Sequence, residues 1–149
     1  MLKLIIDSRE QLPLKFRQGV FDEIVVEGRP GGDYWGELNG TEIPFCYERK
    51  SLADLFSTMT QGYDHWKRMI EKAEKLGMKV ILLIEGTLRD IHAGVKYSEY
   101  SGESMLKKLA MLSVRHNLEW HCFEDRRSMT RYIEEMFDAV RRNYKHEIP

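Results

Sequence analysis

Asn39-Gly40 restricts what this chain can fold into more than any other pair of residues. Asn-Gly is the strongest short hairpin signal, because a two-residue turn between antiparallel strands needs positive φ at both central positions. The runs on either side, 34–38 and 41–49, both read as strands. The chain must therefore hold an antiparallel pair near its start, which argues against a purely parallel doubly wound sheet. No glycine-rich phosphate loop follows a strand either.

Around that hairpin the chain alternates between strand and helix patterns. Residues 2–7 form an apolar run ending in Asp7 and read as a buried strand; 11–22, with Pro13 and Gly19, read as irregular; 23–28 read as a strand, and Arg29-Pro-Gly-Gly-Asp33 as a turn. Ser51 suits a helix N-cap with Asp54 three positions on, opening a helix to about Met59 that Gln61-Gly62 breaks. Over 64–76, Trp66, Met69, Ile70, Ala73 and Leu76 recur at helical spacing, and Gly77 ends the pattern. Residues 79–85 are a buried-type strand, 87–102 a long connection without assigned structure, and 104–116 a helix turning Met105, Leu109, Met111 and Leu112 inward. A strand over 118–123 and an amphipathic helix over 128–144 complete the order. Strands first, then helices alternating with strands, predict an α/β domain of three layers, with a central mixed β-sheet flanked by helices.

Composition narrows the class. A length of 149 residues suits a single domain, 1–149, and 42% hydrophobic with 32% charged residues marks a chain that folds. No apolar run is long enough to cross a membrane, and the start, Met1-Leu-Lys-Leu-Ile-Ile-Asp7, is too short and too soon charged for a signal peptide, so a cytoplasmic protein is expected. Cys46 and Cys122 form neither a disulfide framework nor a zinc spacing and read as buried thiols. The net charge of −1 argues against a dedicated nucleic-acid coating protein. It leaves room for a nuclease, whose metal-binding carboxylates offset basic residues elsewhere.

The chemistry concentrates in three short segments: Ile6-Asp7-Ser8-Arg9-Glu10, Gly32-Asp33-Tyr34, and Glu48-Arg49-Lys50-Ser51-Leu52-Ala53-Asp54. Alternation along a strand places Glu48 and Lys50 on one face. Across the hairpin, Asp33 falls on the neighbouring strand. Two carboxylates from adjacent strands can hold one hard divalent cation, which polarises a phosphate and acidifies a water. A lysine beside them can orient that water or offset charge on the phosphate. Any one of these residues alone would be an ordinary charge at a strand end.

Taken together, Gly32-Asp33, then Glu48-Arg49-Lys50 with Asp54 four positions on, resembles the signature of the XPF family of structure-specific endonucleases. Asp7-Ser8-Arg9-Glu10 is similar to the opening strand motif of that family, and Leu82-Leu83-Ile84-Glu85 to its later strand. The likeness runs from Leu4 to about the last helix. It implies a restriction-endonuclease-like fold, Mg²⁺ or Mn²⁺ as cofactor, and cleavage of branched, flap or junction DNA in repair or recombination, leaving a 5′ phosphate. Asp33 and Glu48 would then be metal ligands, Glu10 a further ligand, Asp7 a candidate ligand for a second metal, and Lys50 the catalytic lysine. Arg9 and Arg49 would face phosphate or brace the carboxylates, and Asp54 would serve the helix start. Members of the family work as dimers, so the resemblance implies a homodimer; the cytoplasmic location read from the sequence is expected to be that of a bacterial, archaeal or phage nucleoid-associated protein. Family members that act as non-catalytic, DNA-binding scaffold partners lose the acidic and lysine positions, whereas this chain keeps them.

Departures from the family pattern are specific. The interval from Asp33 to Glu48 is longer, extending the hairpin. Gly62-Tyr63 stands where the family has Gly-Arg, with Lys67 or Arg68 as substitutes. No tandem helix-hairpin-helix module is found, so junction selectivity would fall to a separate DNA-binding partner protein. Other signals have two readings each. Lys67, Arg68, Lys72 and Lys75 form a DNA-facing patch or a solvated face paired through Glu71. Arg126, Arg127 and Arg131 cluster before the last helix, and Arg141, Arg142 and Lys145 suit its dipole. Tyr34, Trp35 and Tyr63 stack on bases, or Trp35 only covers the hairpin. His116, His121 and Cys122 have no common zinc spacing. Met129, Tyr132, Ile133, Met136, Phe137, Val140 and Tyr144 wrap wider than one core stripe, which points to a partner surface on this helix or on 104–116; alternatively Tyr132 and Tyr144 lie at the domain edge.

Overall fold

The computed structural model describes residues 1–144. Seven strands and five helices follow in the order β1 (Leu2–Asp7), β2 (Glu23–Glu27), β3 (Tyr34–Leu38), β4 (Thr41–Glu42), β5 (Phe45–Ser51), α1 (Leu52–Thr60), α2 (Tyr63–Lys75), β6 (Lys79–Glu85), α3 (Leu88–Ala93), α4 (Gly102–His116), β7 (Glu119–Phe123) and α5 (Arg126–Asn143). The strands form one mixed sheet in the order β2-β1-β3-β5-β6-β7, with β4 beside β3. Pairing is antiparallel within β1-β3-β5 and parallel elsewhere on that path.

The sheet separates two apolar cores, giving the three layers. Val80, Leu82 and Ile84 of β6 face one core with α1, α2, α3 and α4, while Ile81 and Leu83 face the other with α5. Cover on both faces is why β6 reads as an unbroken apolar run instead of an alternating one. Leu2, Leu4 and Ile6 of β1 join the α5 core, together with Leu14 and Phe21 from the irregular segment 11–22. That segment has no ladder of its own but is tied at several points. The Leu14 amide donates to the Tyr34 hydroxyl at 2.8 Å, the Arg17 amide to Glu134 at 2.8 Å, and Asp22 exchanges two bonds with Leu2.

The turn residues Asn39 and Gly40 have φ of 52° and 82°, as the hairpin requires. The predicted strand 41–49 is nonetheless split. Pro44 lacks an N–H for the ladder, so β4 ends at Glu42 and β5 starts at Phe45. A second difference is α3, within the connection left unassigned. Thr87 and Asp90 form a capping box at 3.1 and 2.9 Å, but six residues are too few for a helical period to show. Leu76, expected inward, is 69% exposed because α2 ends at Lys75.

Glu71 makes no ion pair with Lys67 or Lys75, so the pairing expected on the α2 face is absent; such exposed pairs contribute only tenths of a kcal/mol. Tyr34 and Trp35 are 0% and 3% exposed, which closes the base-stacking reading for both. Tyr63 is half-buried with the Lys108 ammonium 3.7 Å from its ring centre. Tyr132 packs edge-on against Tyr47 and Phe123, so part of the apolar surplus of α5 is used inside the domain. Lys145 lies outside the described residues. Among the described residues no helix is long and apolar enough to cross a membrane.

Candidate active site

Register brings the acidic residues together. β3 pairs antiparallel with β5 through Tyr34 and Tyr47, so Asp33, one residue before β3, lies opposite Glu48. The Asp33 amide donates to the Tyr47 carbonyl at 2.7 Å and continues the ladder by one step. Gly32 makes this approach feasible. Its φ is +76°, and a Cβ there would sit 2.7 Å from the Cys46 sulfur, so a side chain would push Asp33 out of line.

Asp33, Glu48, Lys50, Glu10, Arg9, Arg49, Gln11 and Asp54 line one cleft of about 340 Å³ beside the carboxyl ends of the parallel strands β5 and β6. In it, Asp33 Oδ2 accepts the Arg49 backbone N–H at 2.7 Å. Glu48 Oε2 accepts the Trp66 indole N–H at 2.6 Å, and Glu48 Oε1 lies 3.9 Å from Lys50 Nζ. Burial, aided by the Glu48 and Glu10 charges and opposed by the Arg49 amide and Lys50, pushes the Asp33 carboxyl up to about 7. Burial also raises Glu48, against Lys50 and the Trp66 bond.

Glu10 is held differently. Its two oxygens accept Arg49 Nε and Nη2 at 2.9 and 2.7 Å, and the Tyr34 hydroxyl donates to it at 3.1 Å. Arg49 Nη1 reaches Glu85 Oε1 at 2.7 Å, and Arg126 of α5 reaches the same oxygen at 2.8 Å. Bonding to Glu10, opposed by burial and aided by Glu85, raises the pKa of the Arg49 guanidinium above its ordinary value. Asp7 stands apart from the cleft. It is 3% exposed and accepts the Arg29 amide at 2.8 Å and Arg9 Nε at 2.9 Å, anchoring the turn that leads to Asp33. The Arg9 side chain is 68% exposed at the cleft rim.

The structure thus gathers Asp33, Glu48, Lys50, Glu10, Arg49 and Arg9 in one cleft and places Asp7 behind the turn. Three participants were not read as such from sequence. Helical spacing assigns Trp66 to the core, although a buried indole N–H requires an acceptor. Glu85 and Arg126 lie 36 and 77 residues beyond Arg49 (85 − 49 and 126 − 49), so no local pattern links them. Among the described residues no set of three or more His, Cys, Asp or Glu side chains is arranged to hold a metal ion, since Glu10 is turned onto Arg49. Asp33 and Glu48 fit a cation: two oxygen donors at the same cleft, both shifted toward the neutral form.

Comparison with known proteins agrees with this fold. XPF from Aeropyrum pernix is similar in fold, with 16% identity over 96% of this chain and 67% of that one, at a TM-score of 0.67. XPF from Aeropyrum pernix in complex with DNA has 15% identity over 99% and 69%, at a TM-score of 0.66. These likenesses establish the restriction-endonuclease-like fold. No curated protein matches the sequence. The ERCC4 domain model matches residues 6–136, which take in every residue of the cleft together with Glu85 and Arg126, and the chain belongs to the ERCC4 domain family of nucleases.

Proposed function

We propose that this domain is a metal-dependent DNA endonuclease that hydrolyses phosphodiester bonds at branched, flap or junction DNA. The observation that carries the reading is the convergence of Asp33, Glu48 and Lys50 in one cleft, with both carboxyls raised by burial. Two buried acids so shifted are relieved by a cation, and Mg²⁺ or Mn²⁺ prefers oxygen donors. Asp33 and Glu48 would hold it. Bound there, it would polarise the scissile phosphate and acidify a water.

The chain supplies the rest. The Arg49 amide fixes Asp33 and the Trp66 indole fixes Glu48, so neither carboxylate has to reorganise. Lys50, on the same strand face as Glu48, presents a compact positive charge where negative charge builds on the phosphate, and orients the attacking water. Attack at phosphorus breaks the bond to the 3′ oxygen, which takes up a proton as the water loses one, and leaves a 5′ phosphate. Glu10 would join a cation only by releasing Arg49, and Asp7 only by releasing Arg9 and the Arg29 amide. A solved neighbour is XPF in complex with DNA, which supports DNA as the ligand. The reading extends to a homodimer through α4 or α5, where Val114 is 87% and Tyr144 39% exposed, and to a separate partner protein for junction selectivity.

Labelled forks, flaps, nicks and four-way junctions in Mg²⁺ or Mn²⁺ test this. The wild-type chain should cut at least one of them, and Asp33→Asn and Glu48→Gln should cut none while keeping their circular dichroism. Cleavage that persists in EDTA would remove the metal from the reading. A folded wild-type chain that binds but cuts nothing would favour the scaffold role.

A further inference from the structure

A cleft more spacious than the acidic one adjoins it. A cleft of about 750 Å³ opens between residues 12–17 and the first turns of α5. Lys15, Arg17, Arg126, Arg127 and Arg131 line it, with Glu134 as the one acid in its wall. In a chain of net charge −1 this is a local concentration of positive charge. Part of it is committed to structure. Arg17 holds the buried Glu134 at 2.9 Å, Arg126 holds Glu85 and the Leu12 carbonyl, and Arg131 leans on Glu135 at 3.4 Å. Lys15 and Arg127 are exposed and make no ion pair among the described residues.

The two clefts share a wall. Residues 9–11 line the acidic cleft and residues 12–15 continue directly into the basic one. Arg126 joins them physically, because it bonds Glu85, the Arg49 partner, on one side and Leu12 on the other. We propose that the basic cleft holds the backbone of a single DNA strand running on from the phosphate in the acidic cleft. This rests on the nuclease reading for the direction of the strand, but not for the binding itself.

The chemistry favours one strand over a duplex. A volume of about 750 Å³ is in the range of sites for small ligands, roughly 300–1,000 Å³, and admits a few nucleotides but not a double helix. Proteins hold single strands in positively charged grooves that track the backbone. Leu12, 63% exposed at the cleft wall, adds apolar surface beside those charges. Lys15 and Arg127 are the charges free to meet phosphates.

Fluorescence anisotropy in EDTA tests the binding apart from cleavage. The probes are a blunt duplex and the same duplex with a single-stranded arm, and the variants are Lys15→Glu/Arg127→Glu and the milder Lys15→Ala/Arg127→Ala. The wild-type chain should prefer the armed duplex. The glutamate pair should weaken that binding by about tenfold or more, with the alanine pair between. The slope of log K against log salt should shrink by about 1.4, as for two single-strand phosphates. Blunt-duplex affinity should change little. Unchanged armed-duplex affinity in both pairs would overturn the proposal, as would equal losses on both probes, or displacement by polyglutamate as effective as by unlabelled strand. If the wild-type chain cuts DNA but the variants bind normally, the cleft fails and the nuclease reading stands; if it cuts nothing but the losses appear, the reverse holds.

Discussion

On β5, Glu48 and Lys50 point toward the layer of α1 and α2, while Arg49 between them points toward Glu85 and α5. The first face is poorly matched. Lys50 stands 3.9 Å from Glu48, and burial holds Glu48 and the adjoining Asp33 toward their neutral forms. The second face is saturated, with Glu10, Arg49, Glu85 and Arg126 in contact at 2.7–2.9 Å. One strand therefore separates two tasks by alternation alone. Charges that satisfy one another hold the backbone in place, while Asp33 and Glu48 each accept a neutral N–H and Glu48 meets its lysine only at 3.9 Å.

Substitutions on the two faces should accordingly fail in different ways. Lys50→Ala should lower the cleavage rate by about 10²–10⁴-fold with little change in melting temperature, because the ammonium is bound loosely; near-normal turnover would erase the distinction between the faces. Arg49→Ala should act on the fold instead. It leaves Glu10, 5% exposed, and Glu85 without their shared cation, and removing one partner of a buried pair costs about 3–5 kcal/mol. Urea unfolding reads this directly, and a loss of activity without a loss of stability would contradict it.

Asp33→Asn sharpens the comparison by running the other way. The folded-state pKa of Asp33 is raised from 3.8 to about 7, so the native chain binds more protons than the unfolded chain between those values. Its contribution is thus least unfavourable below pH 3.8, and this part of the stability falls as pH rises toward 7. Asparagine removes the penalty, so the inactive variant should be more stable than the wild-type chain at pH 8, by on the order of 1–3 kcal/mol after allowance for solvent contact. Equal stabilities at pH 8 would mean that Asp33 is not strained by its site. Trp66→Phe should have the smallest effect, about 1.5 kcal/mol or roughly tenfold in rate, since it keeps the packing but removes the donor that fixes Glu48. Unaltered kinetics would return Trp66 to a purely packing role.

Much of this was legible from the sequence, for identifiable reasons. The bounds of β1, β3 and β6 coincide with apolar runs and turn residues, and the Asn39-Gly40 turn places Asp33 and Glu48 on neighbouring antiparallel strands; their exact pairing was not legible, because the register set at the turn, Leu38 with Thr41, shifts by two residues before Tyr34 meets Tyr47. Where local signals were weak the reading stopped. α3 is shorter than two helical turns, and Pro44 interrupts a run otherwise rich in β-branched and aromatic residues, Thr41, Ile43, Phe45 and Tyr47. Tyr34 and Trp35 adjoin the motif residue Asp33 but serve opposite cores, a matter of which layers cover the sheet. The contacts of Glu10 depend on Arg49, and those of Arg49 on Glu85 and Arg126, so long-range packing decides what each carboxylate faces.

The irregular segment 11–22 carries a consequence of its own. A stretch without helix or strand usually keeps conformational freedom that a ligand must remove, at about 1–2 kcal/mol for each backbone residue fixed. Here the Tyr34 hydroxyl, Glu134 and Leu2 already hold Leu14, Arg17 and Asp22, so that entropy is lost during folding. A ligand arriving along this wall meets a preorganised surface, and the free energy of its contacts goes into affinity and residence time instead of into ordering a loop.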